Sequence, residues 1–353
     1  MKNALQNHPC FNPEAKHRYG RIHLPVAPRC NVQCNFCNRK FDCVNESGPG
    51  ITSVVLKPRE AIRYCADVLG RRPEIKVLGI AGPGDPFANP DQTLETLHLA
   101  KERFPDVILC LSTNGLALPA YIDEIHALGV RSVTLTVNSF VPRTVASIYS
   151  WIRINGEIQS GTDAANALIK SQSRAIRLLV ERSITVKVNT VVIPGVNEEE
   201  IASIAQKLAL YGVSLFNPIP MKPARGAHFS YINEPSASLM SKIKSEAARH
   251  IQIMPHCYRC RADSVGLLGE AMTTEMFDDI KSYSHADGQK KQNNNKKIAV
   301  ATSNGHMVDL MIGETKQFAI YEVRDESYRL DDFRKATDPD CGERRWTRSN
   351  NVN

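Results

Sequence analysis

Between residues 75 and 219 short apolar runs and amphipathic stretches take regular turns. Strand-like runs fall at 75–81, 107–112, 131–138, 184–193 and 213–219, and helical apolar spacing falls at 92–103, 119–128, 164–181 and 197–210. The runs are apolar almost throughout, as strands covered on both faces are, and each intervening helix supplies the crossover that a parallel pairing needs. Arg21–Pro28 (RIHLPVAP) reads as a strand ahead of them, followed by helical spacing from Lys57 to Leu69. Six βα units result. The pattern predicts an α/β fold, an open (β/α)6 partial barrel rather than a closed eight-stranded one. A further helix is expected at 234–250, and 353 residues suffice for such a barrel and an appendage.

In parallel barrels the chemistry sits on loops at the C-terminal ends of the strands. The loop after the first strand reads Cys30-Asn-Val-Gln-Cys34-Asn-Phe-Cys37, close enough to aim three thiolates at one centre. Structural zinc and structural clusters usually take four ligands, whereas a [4Fe–4S] cube on three thiolates keeps one iron open. A zinc ribbon remains the alternative for three close cysteines, but no second pair follows at the usual separation. The C-x3-C-x2-C spacing resembles the signature of radical S-adenosylmethionine (SAM) enzymes. There the open iron chelates SAM, and one electron cleaves the sulfonium to a 5′-deoxyadenosyl radical. Radical SAM folds are also open six-unit barrels.

The resemblance gives the other strand-end loops their expected tasks. Gly79-Ile-Ala-Gly82-Pro83-Gly84-Asp85-Pro86 exposes backbone groups and stands where radical SAM enzymes bind the SAM amino group, with Gly82, Gly84 and Asp85 serving. Ser112, Thr113 and Asn114 offer hydroxyl and amide groups for its carboxylate or ribose. The bland reading of both stretches is an ordinary turn. Thr136, Asn138, Lys187 and Asn189 interrupt runs that otherwise read as buried strand; burial costs polar groups free energy unless they are paired, so they are expected at the barrel mouth. An adenine is expected along the Val192–Gly195 backbone, at Ile193.

Ten cysteines, an N-terminus without a secretory layout and no apolar stretch long enough for a bilayer argue for a cytoplasmic protein with metal or redox chemistry. Cys10, Cys43, Cys110, Cys257 and Cys260 all fall on loops or at strand ends; as a group they fit poorly with simple burial, whereas Cys65, in a helical pattern, reads as core. The net charge of +7 includes Lys290, Lys291, Lys296 and Lys297 around a Gln/Asn run, read as a solvated linker rather than a nucleic-acid patch. The composition divides the chain into an N-terminal arm (1–20), a barrel with a terminal C-x2-C (21–270), a flexible linker (271–297) and a small β-containing segment with an unstructured tail (298–353), in which Cys341 has no role.

His8-Pro-Cys10-Phe, the run Cys30 to Cys43 (CNVQCNFCNRKFDC), Asn45-Glu-Ser, Ala81-Gly-Pro-Gly-Asp-Pro86, Ser112-Thr-Asn-Gly115 and Cys257-Tyr-Arg-Cys260-Arg-Ala-Asp263 together resemble the NifB family of nitrogenase cofactor maturases. The resemblance implies two further [4Fe–4S] clusters, held as substrates. One SAM methylates a cluster sulfide and a second yields the radical that abstracts hydrogen from that methyl. The carbon becomes a carbide as the cubes fuse, with one extra sulfur, into an eight-iron precursor of the nitrogenase cofactor. Carried over by position, Cys10, Cys257 and Cys260 bind one cube and Cys43 and Cys110 the other. His8 is the extra ligand, with His17 or His23 as alternatives, and Glu46 a labile ligand or proton acceptor. The implied partners are cofactor scaffold and carrier proteins and an electron donor such as ferredoxin or flavodoxin, with no nucleic acid and no membrane. Residues 297–305 and 318–323 look like the start of a cofactor-binding domain related to NifX. Val308-Asp309 is followed there by Leu310-Met-Ile-Gly313 where the family has His-Phe-Gly, and Phe216-Asn217 replaces the family's His-Asn. Two other readings stay open: a radical SAM enzyme with one auxiliary cluster, of the molybdopterin-precursor cyclase type, and a non-catalytic iron–sulfur scaffold. The scaffold has no use for the loops at 82–85 and 112–114.

Overall fold

The computed structural model describes residues 5–39, 52, 54–257, 260–284, 296–301, 317–324 and 327–335. The chain divides into two units, 1–287 and 288–353. In chain order the first contains β1 (Gly20–His23), β2 (Val32–Cys34), α1 (Pro58–Arg71), β3 (Ile75–Ile80), α2 (Pro90–Arg103), β4 (Ile108–Thr113), α3 (Ile122–Ala127), β5 (Ser132–Thr136), α4 (Pro142–Ile148), β6 (Tyr149–Ile154), β7 (Glu157–Gln159), α5 (Gly161–Glu181), β8 (Thr185–Val192), α6 (Ile201–Leu210), β9 (Leu215–Pro220), α7 (Ala237–Ala247), β10 (Val265–Gly266) and α8 (Thr274–Tyr283).

The main sheet runs β10-β1-β3-β4-β5-β8-β9. Its six strands from β1 to β9 pair in parallel in the order the chain makes them, and β10 closes the β1 edge antiparallel. This is the expected open (β/α)6 sheet. One face is core: Ile22, Leu78, Leu109, Val133, Leu135, Val186 and Val188 pack with Ile62, Leu97, Ile125, Ile176 and Ile204 of the helices. The other face turns inward. Arg21 and His23 of β1, Gly79 of β3, Cys110 and Ser112 of β4, Thr134 of β5 and Lys187 and Asn189 of β8 line one cavity. In a flat sheet β1 and β8 would stand about 19 Å apart, four spacings of roughly 4.8 Å, so strands sharing a cavity define a curled sheet.

Three stretches differ from the sequence reading. The first strand ends at His23, because Pro25 and Pro28 bring no N–H to continue the ladder. The chain stays extended beyond it, with Leu24 N–H on Gly79 O (2.9 Å) and Ala27 bridged to Pro83. A small antiparallel sheet, β2-β6-β7, lies outside the anticipated units. The segment after 270 is not linker from its start: α8 docks on α1 through Tyr283 on Tyr64 (5.3 Å between ring centroids) and the Arg71–Asp279 ion pair (2.5 Å). These contacts give Thr274–Tyr283 an apolar and a charged reason to fold. Among the described residues no helix is long and apolar enough to cross a membrane.

The second unit contains an antiparallel meander of β11 (Lys296–Ala301), β12 (Gln317–Arg324) and β13 (Ser327–Lys335). Its first two strands match the expected runs; the third, rich in charge, was not anticipated.

Candidate active site

The inward cavity gathers four of the cysteines that the sequence singles out. Cys10, Cys110, Cys257 and Cys260 all line it, with His8 and His23. Cys110, expected beside Cys43, faces the same cavity as Cys10, Cys257 and Cys260, because β4 presents it on the same inner face as Ser112. Cys43 and Glu46 lie outside the described residues. His17 is exposed on a 3-10 turn (Ala15–His17) and does not reach the cavity.

Each donor has a local reason for its position. The arm carrying His8 and Cys10 is tied down by His256, whose Nε2 is 2.9 Å from Pro9 O and donates to it. His8 is buried; its Nδ1 accepts the Cys10 N–H at 3.1 Å, and its Nε2 is buried without a hydrogen-bond partner. Burial, then the charge of Lys187, lowers the His8 pKa to about 3, so the ring stays neutral. His23 Nδ1 donates to Arg261 O at 2.9 Å, which leaves its Nε2 unprotonated. Burial, then Arg21, lowers the His23 pKa to about 4. The Cys260-Arg-Ala-Asp263 segment explains that contact. Arg261 pairs with buried Asp263 (2.9 Å) and its N–H donates to Ser264 Oγ (2.6 Å), fixing a turn that aims Arg261 O at His23. Burial pushes the Cys10 thiol up to about 12; Lys187 opposes this, while Cys260, Cys110 and Cys257 add to it. Among the described residues no three His, Cys, Asp or Glu side chains converge as ligands of one metal ion. Thiols and an orphaned imidazole nitrogen spread around a cavity suit a cluster, in which each ligand takes a different iron.

Cys30, Cys34 and Cys37 share one tight loop. Cys37 N–H donates to Cys34 O (3.0 Å), and Gln33 Nε2 donates to both Cys34 O and Cys37 O (3.0 and 2.8 Å). Cys34 and Cys37 are buried with Phe36, Val191, Ile193 and Ile219 in a second apolar cluster. The loop is held from outside by β2 on β6 and by Asn35, which donates to Ser147 O (2.7 Å) and accepts from Ser150. That support was missed, although the sequence signals it. Tyr149–Ile154 and Glu157–Gln159 flank Asn155-Gly156, an Asn-Gly hairpin turn in which both residues have positive φ (51° and 87°). Burial, then Asp85, raises the Cys30 thiol to about 11.

The residues expected to touch SAM also carry hydrogen bonds that shape the site. Gly84 N–H donates to Ala27 O (2.6 Å) and Asp85 N–H to Arg29 O (2.8 Å), while Gly82 O accepts from Ala27 N–H (3.2 Å). A Cβ on Gly84 would collide with Arg29 O, so the close approach requires glycine. This loop is thus zipped to the chain entering Cys30. Asp85 is buried, and its carboxylate accepts from Phe87 N–H (2.9 Å), Thr113 Oγ1 (2.9 Å) and Asn114 N–H (2.7 Å). Burial raises its pKa, opposed by those hydrogen bonds. Asn114 donates to Asn31 Oδ1 (2.6 Å) and lies 3.9 Å from Cys30 Sγ, binding the β4 end to the cysteine loop, and Ser112 faces the cavity. Asn138 is also spent internally: its Nδ2 donates to Tyr149 OH (3.0 Å) and its Oδ1 accepts Val191 N–H (3.0 Å). Ile193 N–H goes to Asn197 Oδ1 (2.8 Å) and Gly195 N–H to Glu198 (2.7 Å), which fixes the turn after β8. Asn189 does reach the cavity, with its Oδ1 accepting from Asn217 (2.9 Å). Asn31, Asn35 and Asn197 are the organising residues that the sequence did not mark.

An open parallel (β/α)6 sheet with a three-cysteine loop after its first strand defines a radical SAM enzyme, and the radical SAM superfamily model matches residues 24–208. Over 345 residues the chain is 44% identical to the FeMo cofactor biosynthesis protein NifB of Chlorobaculum tepidum, covering 97% of this chain and 81% of that one. It is 38% identical to the protein of that name from Klebsiella pneumoniae (90% of this chain, 72% of the relative) and 34% identical to that from Azotobacter vinelandii (98% and 78%). The chain belongs to the NifB family.

Proposed function

We propose that this chain is a maturase of FeMo-cofactor biosynthesis that fuses two [4Fe–4S] clusters, with carbide and sulfur insertion, into an eight-iron precursor. The observation that carries the reading is the cavity on the inner sheet face, where Cys10, Cys110, Cys257 and Cys260 meet the neutral imidazoles of His8 and His23. Cys30, Cys34 and Cys37 would hold the resident cluster, which with SAM bound supplies one-electron cleavage of the sulfonium. Asp85, Asn114 and Asn35 keep that loop in shape, and the apolar cluster of Phe36, Ile193 and Ile219 keeps water from it. Around the cavity the thiols anchor substrate iron while His23 Nε2, left unprotonated by the Arg261 contact, adds a ligand that can let go. Lys187 places positive charge against the anionic substrate. Cys43 and Glu46 complete the donor set in this reading. The product passes to cofactor carrier proteins, electrons come from a ferredoxin or flavodoxin, the work is cytoplasmic, and the second unit is the start of a NifX-like product-binding domain.

The same cavity supports a second reading, since four thiols around one space would also hold a single resident auxiliary cluster, as in enzymes of the molybdopterin-precursor cyclase type. An anaerobic iron and sulfide count with a SAM-cleavage assay separates the two. About twelve irons per chain fit the maturase and about eight the single-cluster enzyme; absence of SAM cleavage sinks both.

A further inference from the structure

Arg21 stands on β1 with its side chain buried on the cavity side of the sheet. Its Nη1 donates to Gly266 O (2.5 Å) and Leu267 O (2.6 Å), the carbonyls of the short strand and turn that close the sheet edge. Its Nε points elsewhere, to Cys260 Sγ at 3.2 Å. Two of these acceptors are neutral carbonyls; Glu270 answers the guanidinium through space, but of its three hydrogen-bond acceptors only the sulfur takes on negative charge. A buried guanidinium keeps its proton and costs free energy unless something anionic answers it. The fork is also fixed at its base, because Arg21 pairs with Gly266 in the β1–β10 register and Glu270 holds the turn through Leu267 N–H (2.8 Å) and Arg72 (2.8 Å).

We propose that Arg21 is the positioning residue for Cys260. Its Nε–H fixes the sulfur against the closing turn and withdraws charge from it, which weakens the bond from Cys260 to the iron it takes and raises the reduction potential of that cluster. The assignment rests on the reading that the cavity takes an iron–sulfur cluster. Hydrogen bonds to cysteinyl sulfur are among the levers that set cluster potentials. A positive donor aimed at the sulfur stabilises the reduced, more negative cluster. The consequence matters for a substrate cluster, which must be anchored and then released.

The test uses the full chain, reconstituted anaerobically with iron and sulfide, as wild type, Arg21→Lys and Arg21→Gln. The cavity signal is the one that a Cys257→Ala/Cys260→Ala variant removes from the electron paramagnetic resonance spectrum. Its potential is read by redox titration, and its release by the rate of iron transfer to a chelator. Both Arg21 variants are expected to keep wild-type iron content, to shift the reduction equilibrium about tenfold towards the oxidised form, about 59 mV lower for one electron, and to release iron more slowly. Arg21→Lys, which keeps the charge but not the Nε geometry, should move less than Arg21→Gln. An unchanged potential and release rate with clusters intact overturns the proposal. So does loss of fold or of cavity iron in both variants, for then the guanidinium serves the two carbonyls alone. If wild type shows no signal that the double cysteine variant removes, the error lies with the cavity reading and not with Arg21 alone.

Discussion

A single missing methyl group positions the imidazole of His23. A Cβ on Gly79 would stand 2.7 Å from His23 Cδ2, so the ring occupies the space that glycine leaves on β3. Gly79→Ala should rotate the ring off Arg261 O and weaken cavity iron binding about 10- to 100-fold, the usual cost of disturbing a ligand's supporting shell. SAM cleavage should persist, because the Cys30–Cys37 loop makes no use of that ring; iron titration and deoxyadenosine production check the two halves. The converse substitution is Cys34→Ala, expected to abolish deoxyadenosine production while the cavity still loads iron. Cys65 makes a third case. It is fully buried on α1, and burial pushes its thiol up to about 12. Thiolate is the reactive form, so at pH 8 Cys65 should resist iodoacetamide in the native apoprotein while exposed Cys257 is labelled; mass spectrometry after brief alkylation reads the difference.

Elements supply what single residues cannot, namely the stiffness of the cysteine loop. β2 borrows its order from β6, and β6 and β7 are joined by Asn155-Gly156. Gly156→Ala puts a side chain at φ 87° and should cost about 1–2 kcal/mol, seen as a lower unfolding midpoint, with slower loading of the SAM cluster than of the cavity. The six βα units were legible because their periodicity is long and repeated. The hairpin was legible in principle, through Asn-Gly between alternating residues, but its strands are short and half polar. The internal hydrogen bonds of the donors at 82–85 and 193–195 were illegible for a different physical reason. A sequence shows which N–H groups a turn offers, but not that Ala27 O, Arg29 O, Asn197 and Glu198 consume them. Likewise Lys187 and Asn189 stood out as polar breaks in an apolar run, whereas Arg21 opened a strand, where a polar residue draws no notice.

At the scale of the molecule, the curl of one sheet does the gathering. Cys10, Cys110, Cys257 and Cys260 are scattered over 250 residues of sequence, and no spacing rule brings Cys110 to the other three; only the inward face of β4 does. The first unit also carries its own closing contacts. Its sheet is closed at the β1 edge by β10, and α8 seals α1 with the Tyr283–Asp67 hydrogen bond and the Arg71–Asp279 pair, all within 1–287. Every described thiol of the proposed chemistry also lies within it. Removing 288–353 should therefore leave iron content, sulfide content and SAM cleavage close to those of the full chain. Truncating before α8, at 272, should instead lower the unfolding midpoint, because Tyr64, Tyr283, Phe277 and Ile280 lose their shared contacts. A cut at 287 that abolishes SAM cleavage would show that the second unit completes the site.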